Sequence, residues 1–359
     1  MKKVISSFLA VVLLAFTLAG CGAGGTGGSG GSAGAEGTPI RVATMVSTAG
    51  VPIQFAYEQG FFEDEGLNVE LIYFPTGAPI NEAYAAGQID VAASGMASVF
   101  SLANAGAVWI GEINTAEGMG IFARADHPAA AIQGEVPGLP NILGSAETVR
   151  GMQILGALGT TAQFMAMAYA DRFGLTAADF DMVHMDHGPG WTAFQLGEGD
   201  AAAVSPPFSF EAMAEGYITL ATFEDATGVI LRDGLFATPE IIENRRDEMV
   251  RLVRAVWRAQ EELQDFGTRF QFSMDWFNAH GITYDEFTMT SEINARTYIN
   301  AAFMQQPGYV FGSGMTEIGR FFTEQGTIPE ANFPNIQRSF DASLLWEALD
   351  ISFDVDTTP

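Results

Sequence analysis

Ala86-Gly-Gln-Ile-Asp-Val-Ala-Ala93 and Leu196-Gly-Glu-Gly-Asp-Ala-Ala-Ala203 are two versions of one eight-residue phrase, set 110 positions apart. Gly87, Asp90, Ala92 and Ala93 return as Gly197, Asp200, Ala202 and Ala203, and Gly106 returns as Gly216 with no slip in spacing. Each phrase reads as a helix end, a glycine stop and a short buried strand. Alanine and glycine are common residues, so these identities carry little by themselves. The matching order of elements around them argues for a duplicated α/β half.

Before the first phrase, Arg41–Val46 is strand-like, Pro52 opens a helical stretch that Gly60 stops, and Val69–Phe74 is a second strand. A helix then runs from about Ile80 to Ala86, Asp90–Ala93 forms a buried strand, and a helix from Met96 to Ala105 ends at Gly106. Proline at a helix start and glycine just past its end mark these boundaries. The succession βαβαβα predicts a parallel sheet covered by helices. Around the second phrase the order returns, with a strand over Met152–Ala157, a helix over Thr161–Phe173 and a strand over Asp181–Met185. From about 238 to 348 the chain is helical by period, as in Met249–Trp257, and is expected to pack on the first half. Two such sheets imply two lobes, with ligand bound outside the carboxyl ends of the strands.

The first twenty residues have the layout of a secretory signal, with Lys2 and Lys3 before an apolar run from Val4 to Leu18. Leu18-Ala19-Gly20-Cys21 resembles the bacterial lipobox, which makes Cys21 the expected lipidated N-terminus and the membrane anchor. Gly22–Gly37, almost wholly small residues, reads as a flexible tether spanning roughly 20–25 Å. The chain has no other cysteine, so the body is expected to hold together without disulfides. Both lysines lie in the signal, which leaves 14 arginines against 43 acids, a balance of −29. That excludes nucleic acid as a partner. A mature chain without lysine or a free thiol also excludes Schiff-base, pyridoxal and P-loop chemistry. No cofactor is expected.

Phe55-Ala-Tyr-Glu-Gln-Gly-Phe-Phe-Glu-Asp-Glu-Gly-Leu-Asn-Val69 is similar to an "A-x-x-x-G-x-F-x-x-x-G-L-x-V" pattern. It is carried by Ala56, Gly60, Phe62, Gly66, Leu67 and Val69. With Ala86–Ala92 and Gly197–Pro207, it resembles the nitrate, sulfonate and taurine type of periplasmic solute-binding protein, a group that includes thiamine-precursor binders. The resemblance implies an α/β, two-lobed periplasmic-binding-protein fold of type II, with two open, mostly parallel sheets, a hinge and C-terminal helices. Residues 1–20 are then signal, 21–38 anchor and tether, 39–125 plus 223–359 lobe 1, and 126–222 lobe 2. The segment Asp126–Arg150 departs from the family as a longer Pro- and Gly-containing insertion. The thiamine-pyrimidine synthases related to these binders carry a cysteine-rich motif that this chain lacks.

Four loops at strand ends are expected to converge on the cleft: Ser47–Gly50, Ser94–Ala97, Gly159–Ala162 and Ser205–Phe208. Each precedes a helix, whose free amides favour an anion or a carbonyl oxygen. Candidate ligand-binding residues are Ser47, Thr48, Thr76, Ser94, Gly95, Met96, Gly159, Thr160, Thr161, His187, Ser205, Pro206 and Phe208. For each hydroxyl an ordinary helix cap is the alternative. Trp191 and Phe74 could add apolar walls, or belong to the core. No arginine lies in these loops, so sulfonate, nitrate or taurine-like anions and pyrimidine-type heterocycles all stay open. His184-Met-Asp-His187 superficially suggests a metal site, but with Asp181–Met185 as a strand His184 points to one face while His187 falls in the next loop, and no metal is expected.

The expected function is that of the extracytoplasmic, lipid-anchored binding subunit of an ABC importer: a non-enzymatic monomer delivering a small molecule to a permease with a cytoplasmic ATPase. Rival readings are an exported enzyme using Asp186 and His187 as an acid–base pair, and a sensory lipoprotein that hands its ligand to a receptor.

Overall fold

A computed structural model of the protein describes residues 37–357. The expected signal, Cys21 and all but the end of the expected tether lie outside the described residues. The repeated phrase has one physical role in both halves. Gly87 and Gly197 take φ of 68° and 97°, a left-handed conformation that glycine adopts without strain. Each thereby turns the chain out of its helix. Three residues on, the Asp90 carboxylate accepts from Arg41 N at 2.9 Å and Asp200 accepts from Gln153 N at 2.8 Å. The two aspartates also donate their own amides to Arg41 O and Gln153 O. Each repeat therefore pins the start of one strand to the start of its neighbour.

The strands of the two large sheets are β1 (Ile40–Met45), β2 (Val69–Phe74), β3 (Val91–Ser94), β4 (Val108–Thr115), β5 (Gly120–Ala123), β6 (Gln153–Gly156), β7 (Asp181–His184), β8 (Ala201–Val204), β9 (Ile218–Thr222) and β10 (Arg232–Ala237). They form two five-stranded sheets, ordered β2-β1-β3-β10-β4 and β7-β6-β8-β5-β9. In each, three neighbouring strands run parallel, as expected from the βαβ order. The central strands β3 and β8 are buried throughout, which their runs of valine and alanine allow.

The fourth strand of each sheet runs antiparallel to both of its neighbours and comes from the other side of a crossing, β10 entering the first sheet and β5 the second. Gly120–Ala123 thus pairs with β8 and β9, which corrects the expected boundary at 125: the first crossing is 116–119. The helix Phe223–Thr227 packs Phe223 edge-on to Phe164 and stays with the second sheet, so the return crossing falls at 228–231 rather than at 223. Interior glycines weaken the strand signal of β4 and β10. A Cβ on Gly234 would lie 2.2 Å from Gly111 O and 2.4 Å from the Trp109 ring, so the β4–β10 contact requires glycine there.

The C-terminal helices cover the first sheet. Arg254 pairs with Glu65 at 2.9 Å, and Arg258 pairs with Asp64 at 2.8 Å while lying over the Phe61 ring. They also reach the second half, since Phe321 of the helix Ser313–Glu324 stacks on Phe164 at 4.1 Å. Asp126–Arg150 folds down onto its own half, with Leu143 N donating to Leu220 O and Tyr169 Oη donating to Leu143 O.

Candidate functional site

Two short crossings decide where the strand ends point. β4 runs parallel in sense to β3, because both are antiparallel to β10, so Thr115 ends at the carboxyl edge of the first sheet. After four intervening residues Gly120 pairs with Val204, the last residue of β8, at the carboxyl edge of the second sheet. A link of that length spans only about 15 Å. The return path likewise joins the carboxyl end of β9 to the start of β10, where Gly234 pairs with Ser94. The crossings bond to one another through Ala116 N to Leu231 O, and Phe223 N of the second half donates to Met119 O of the first crossing. Both carboxyl edges are therefore held close, and Pro206 and Phe210 of the second half lie against Gly118 of the crossing.

At the first edge, Ser47 and Ser94 have buried hydroxyls with no hydrogen-bond partner among the described residues. Thr48 donates to Glu292 Oε2 at 2.9 Å. None of these three caps its helix, whose N-caps are Gly50 and Ala97. Gly95 and Met96 fill the turn between β3 and its helix, which starts at Ser98 rather than at Met96. Thr76 precedes the helix Gly77–Ala85 and is exposed.

At the second edge, Thr160 is an ordinary cap, its hydroxyl accepting from Ala162 N at 3.2 Å and donating to Ala157 O at 2.6 Å. Thr161 is the first helical residue after it. The amide of Gly159 is taken by Gln163 and that of Leu158 by His184, so this loop offers fewer free donors than a bare helix start. His187 is not in a loop, as the strand alternation had suggested, but opens the helix His187–Gln195, with a buried Nδ1 that has no partner among the described residues. Phe208 lies against Gly188, bringing the Ser205–Phe208 loop to the same corner. Trp191 is core, its Nε1 donating to Glu211 at 2.8 Å, and Phe74 is half-buried against the main hydrophobic core. Among the described residues no group of three histidines, cysteines or acids could hold a metal.

Burial holds the His187 imidazole below its ordinary value of 6.5, with Asp186 opposing. The folded state thus favours the neutral ring, and the unfolded chain takes up this proton first as pH falls. The stability contributed by neutral His187 is complete above about 6.5 and is lost below it, toward the lowered folded value. Urea unfolding across pH 5–8 should show this decline, and His187→Gln should flatten part of it; identical profiles would contradict the assignment.

The residues that sequence reasoning missed come from far along the chain. Arg296 lies in the segment laced to the first crossing, through Thr115 N to Thr297 O and Glu117 N to Ala295 O. Its guanidinium meets Asp233 through Nη1, and its Nε lies 3.5 Å from Glu292. Asn114 Nδ2 completes the network on Asp233 at 2.8 Å. Burial lowers the Arg296 pKa, but Asp233 and Glu292 more than offset this and hold it above the ordinary arginine value. The sole signal in sequence is the acid–arginine spacing of four between Glu292 and Arg296, which says nothing of position. A groove of about 680 Å³ between the helices Thr161–Asp171 and Ser313–Glu324 contains none of the strand-end residues.

Two matched sheets, joined twice at the hinge with strand ends brought together, define a periplasmic-binding-protein fold. The profile of the NMT1-like family matches residues 33–273, and the chain belongs to that family. A provisionally named ABC transporter periplasmic binding protein of Brachyspira hyodysenteriae is 27% identical over 353 residues, covering 97% of this chain and all of that protein. A provisionally named aliphatic sulfonates-binding protein of Bacillus subtilis is 27% identical over 264 residues, 72% of this chain and 73% of its own. The alkanesulfonate-binding protein of Xanthomonas axonopodis pv. citri, solved with MOPS, superposes with a TM-score of 0.64 at 15% identity, over 86% of this chain and 100% of that one. The periplasmic nitrate-binding protein of Synechocystis PCC 6803 gives 0.62 at 11% identity, over 88% and 89%. At these identities the structures share the fold.

Proposed function

We propose that the protein is the extracytoplasmic, lipid-anchored solute-binding subunit of an ABC importer, closing two lobes on a small organic molecule and delivering it, unaltered, to a membrane permease. The observation that carries this reading is the set of buried polar atoms at the strand ends of both sheets that have no partner among the described residues: Ser47 Oγ, Ser94 Oγ and His187 Nδ1. Buried polar groups without partners are costly, and a ligand between the edges would supply those partners. Ser205, Pro206 and Phe208 would close the second wall. Of the open ligand classes, the carboxylates around Arg296 favour a nitrogen compound over a sulfonate or nitrate.

The test is thermal unfolding of the purified protein with sulfonates, nitrate, carboxylates, amines and pyrimidines, and recovery of each compound afterwards. A ligand at 100 times its Kd should add about 2.7 kcal/mol of stability and be recovered unchanged. Conversion of that compound would overturn the reading in favour of an enzyme.

A further inference from the structure

The first sheet's edge carries hydrogen-bond acceptors that no described residue engages. Asn114 and Asp233 are directly paired across β4 and β10, so their side chains share a face. Asn114 Nδ2 donates to Asp233 Oδ2 at 2.8 Å and to Thr115 O at 2.9 Å, which fixes the amide and leaves its fully buried Oδ1 with no donor among the described residues. Both hydrogen bonds to Asp233 fall on Oδ2. Its Oδ1 lies against Gly95 at the end of β3, where a Cβ would come within 2.5 Å of it. Ser94, the residue before Gly95, is 1% exposed and its Oγ has no partner among the described residues. Arg296 faces two carboxylates, Asp233 and Glu292, and Arg269 donates to the Arg296 carbonyl behind it at 3.1 Å.

An anion entering here would have to draw Arg296 away from one of those carboxylates. A ligand with N–H donors meets vacant acceptors directly, and hydrogen bonds in which a partner is charged are the stronger kind. The chain's balance of 14 arginines against 43 acids also raises the local concentration of cations.

We propose that the cleft takes a cationic nitrogen compound, an amidinium, guanidinium or protonated amine, whose N–H groups donate to Asp233 Oδ1 and Asn114 Oδ1. This rests on the ligand-capture reading above. Gly95 is then a specificity position, since any side chain there would push Asp233 out of place.

Calorimetric titration of the full chain with acetamidine, guanidine, agmatine, uracil, ethanesulfonate and nitrate tests it. Binding by one or more of the three cations, weakening with added salt and lost at least about 30-fold in Asp233→Asn, is the expected result. The wild-type ranking decides the matter even if the variant fails to fold. Binding of ethanesulfonate, nitrate or uracil without any cation would overturn the inference and leave the capture reading standing. Failure of all six would overturn both.

Discussion

Arg296→Ala should destabilise the protein by about 3–5 kcal/mol and change ligand affinity, because removing one partner of a buried ion pair strands the others without a counter-charge. The Asp233 side chain is 9% exposed and that of Glu292 6%, so water cannot replace the guanidinium well. At about 2 °C per kcal/mol for a chain of this size, the thermal midpoint should fall by about 6–10 °C. Arg296→Lys should recover only part of this, since one ammonium cannot present the planar fork that faces two carboxylates. Urea unfolding of the three proteins checks the order. A loss below about 1 kcal/mol in the alanine variant would mean that the network is solvated and does not organise the strand edge.

Glu112→Ala should cost a similar amount of stability, about 3–5 kcal/mol, yet leave ligand affinity unchanged in the protein that remains folded. Glu112 is 1% exposed and accepts from Arg232 at 3.0 Å, Tyr309 Oη at 2.9 Å and Gly312 N at 3.1 Å. Its loss strands a cation and two neutral donors at once, on residues that tie β4 and β10 to the C-terminal region. Asp233 follows Arg232 directly, but none of the Glu112 partners belongs to the strand-end loops. Equal stability loss with unequal binding loss would separate the two buried networks. Matched losses of binding would show that the sheet interior and its edge move as one.

The strands legible in the sequence are those whose neighbours are local. β1, β2 and β3 announce themselves by apolar runs, helix stops at Gly60 and Gly87, and a phrase that returns around β8. β4, β5, β9 and β10 escape that reading because their pairing is set by the crossings. β5 is only four residues long, and nothing within Gly120–Ala123 says that it leaves one sheet for the other. The candidate site divides in the same way. Ser47, Ser94, His187 and Ser205 follow from their places after strands, and Thr160 proves to be the cap that was its alternative. Thr48 and Glu292 are 244 residues apart, Asn114 and Asp233 119, and Asp233 and Arg296 63. No spacing rule connects partners so distant, so the charge of the site became visible only once the chain was folded.

Closure of one sheet's edge upon the other is the central claim, and an inter-lobe distance measures it directly. Ala78 and Thr192 are exposed residues on the helices that follow β2 and β7, equivalent places in the two halves. Spin labels on Ala78→Cys and Thr192→Cys, in a full chain carrying Cys21→Ser, would report their separation by electron–electron double resonance. With the compound that raises the thermal midpoint at 100 times its Kd, the distance distribution should shorten and narrow to one population. An unchanged distribution at saturation would contradict closure and leave a rigid binding site in its place.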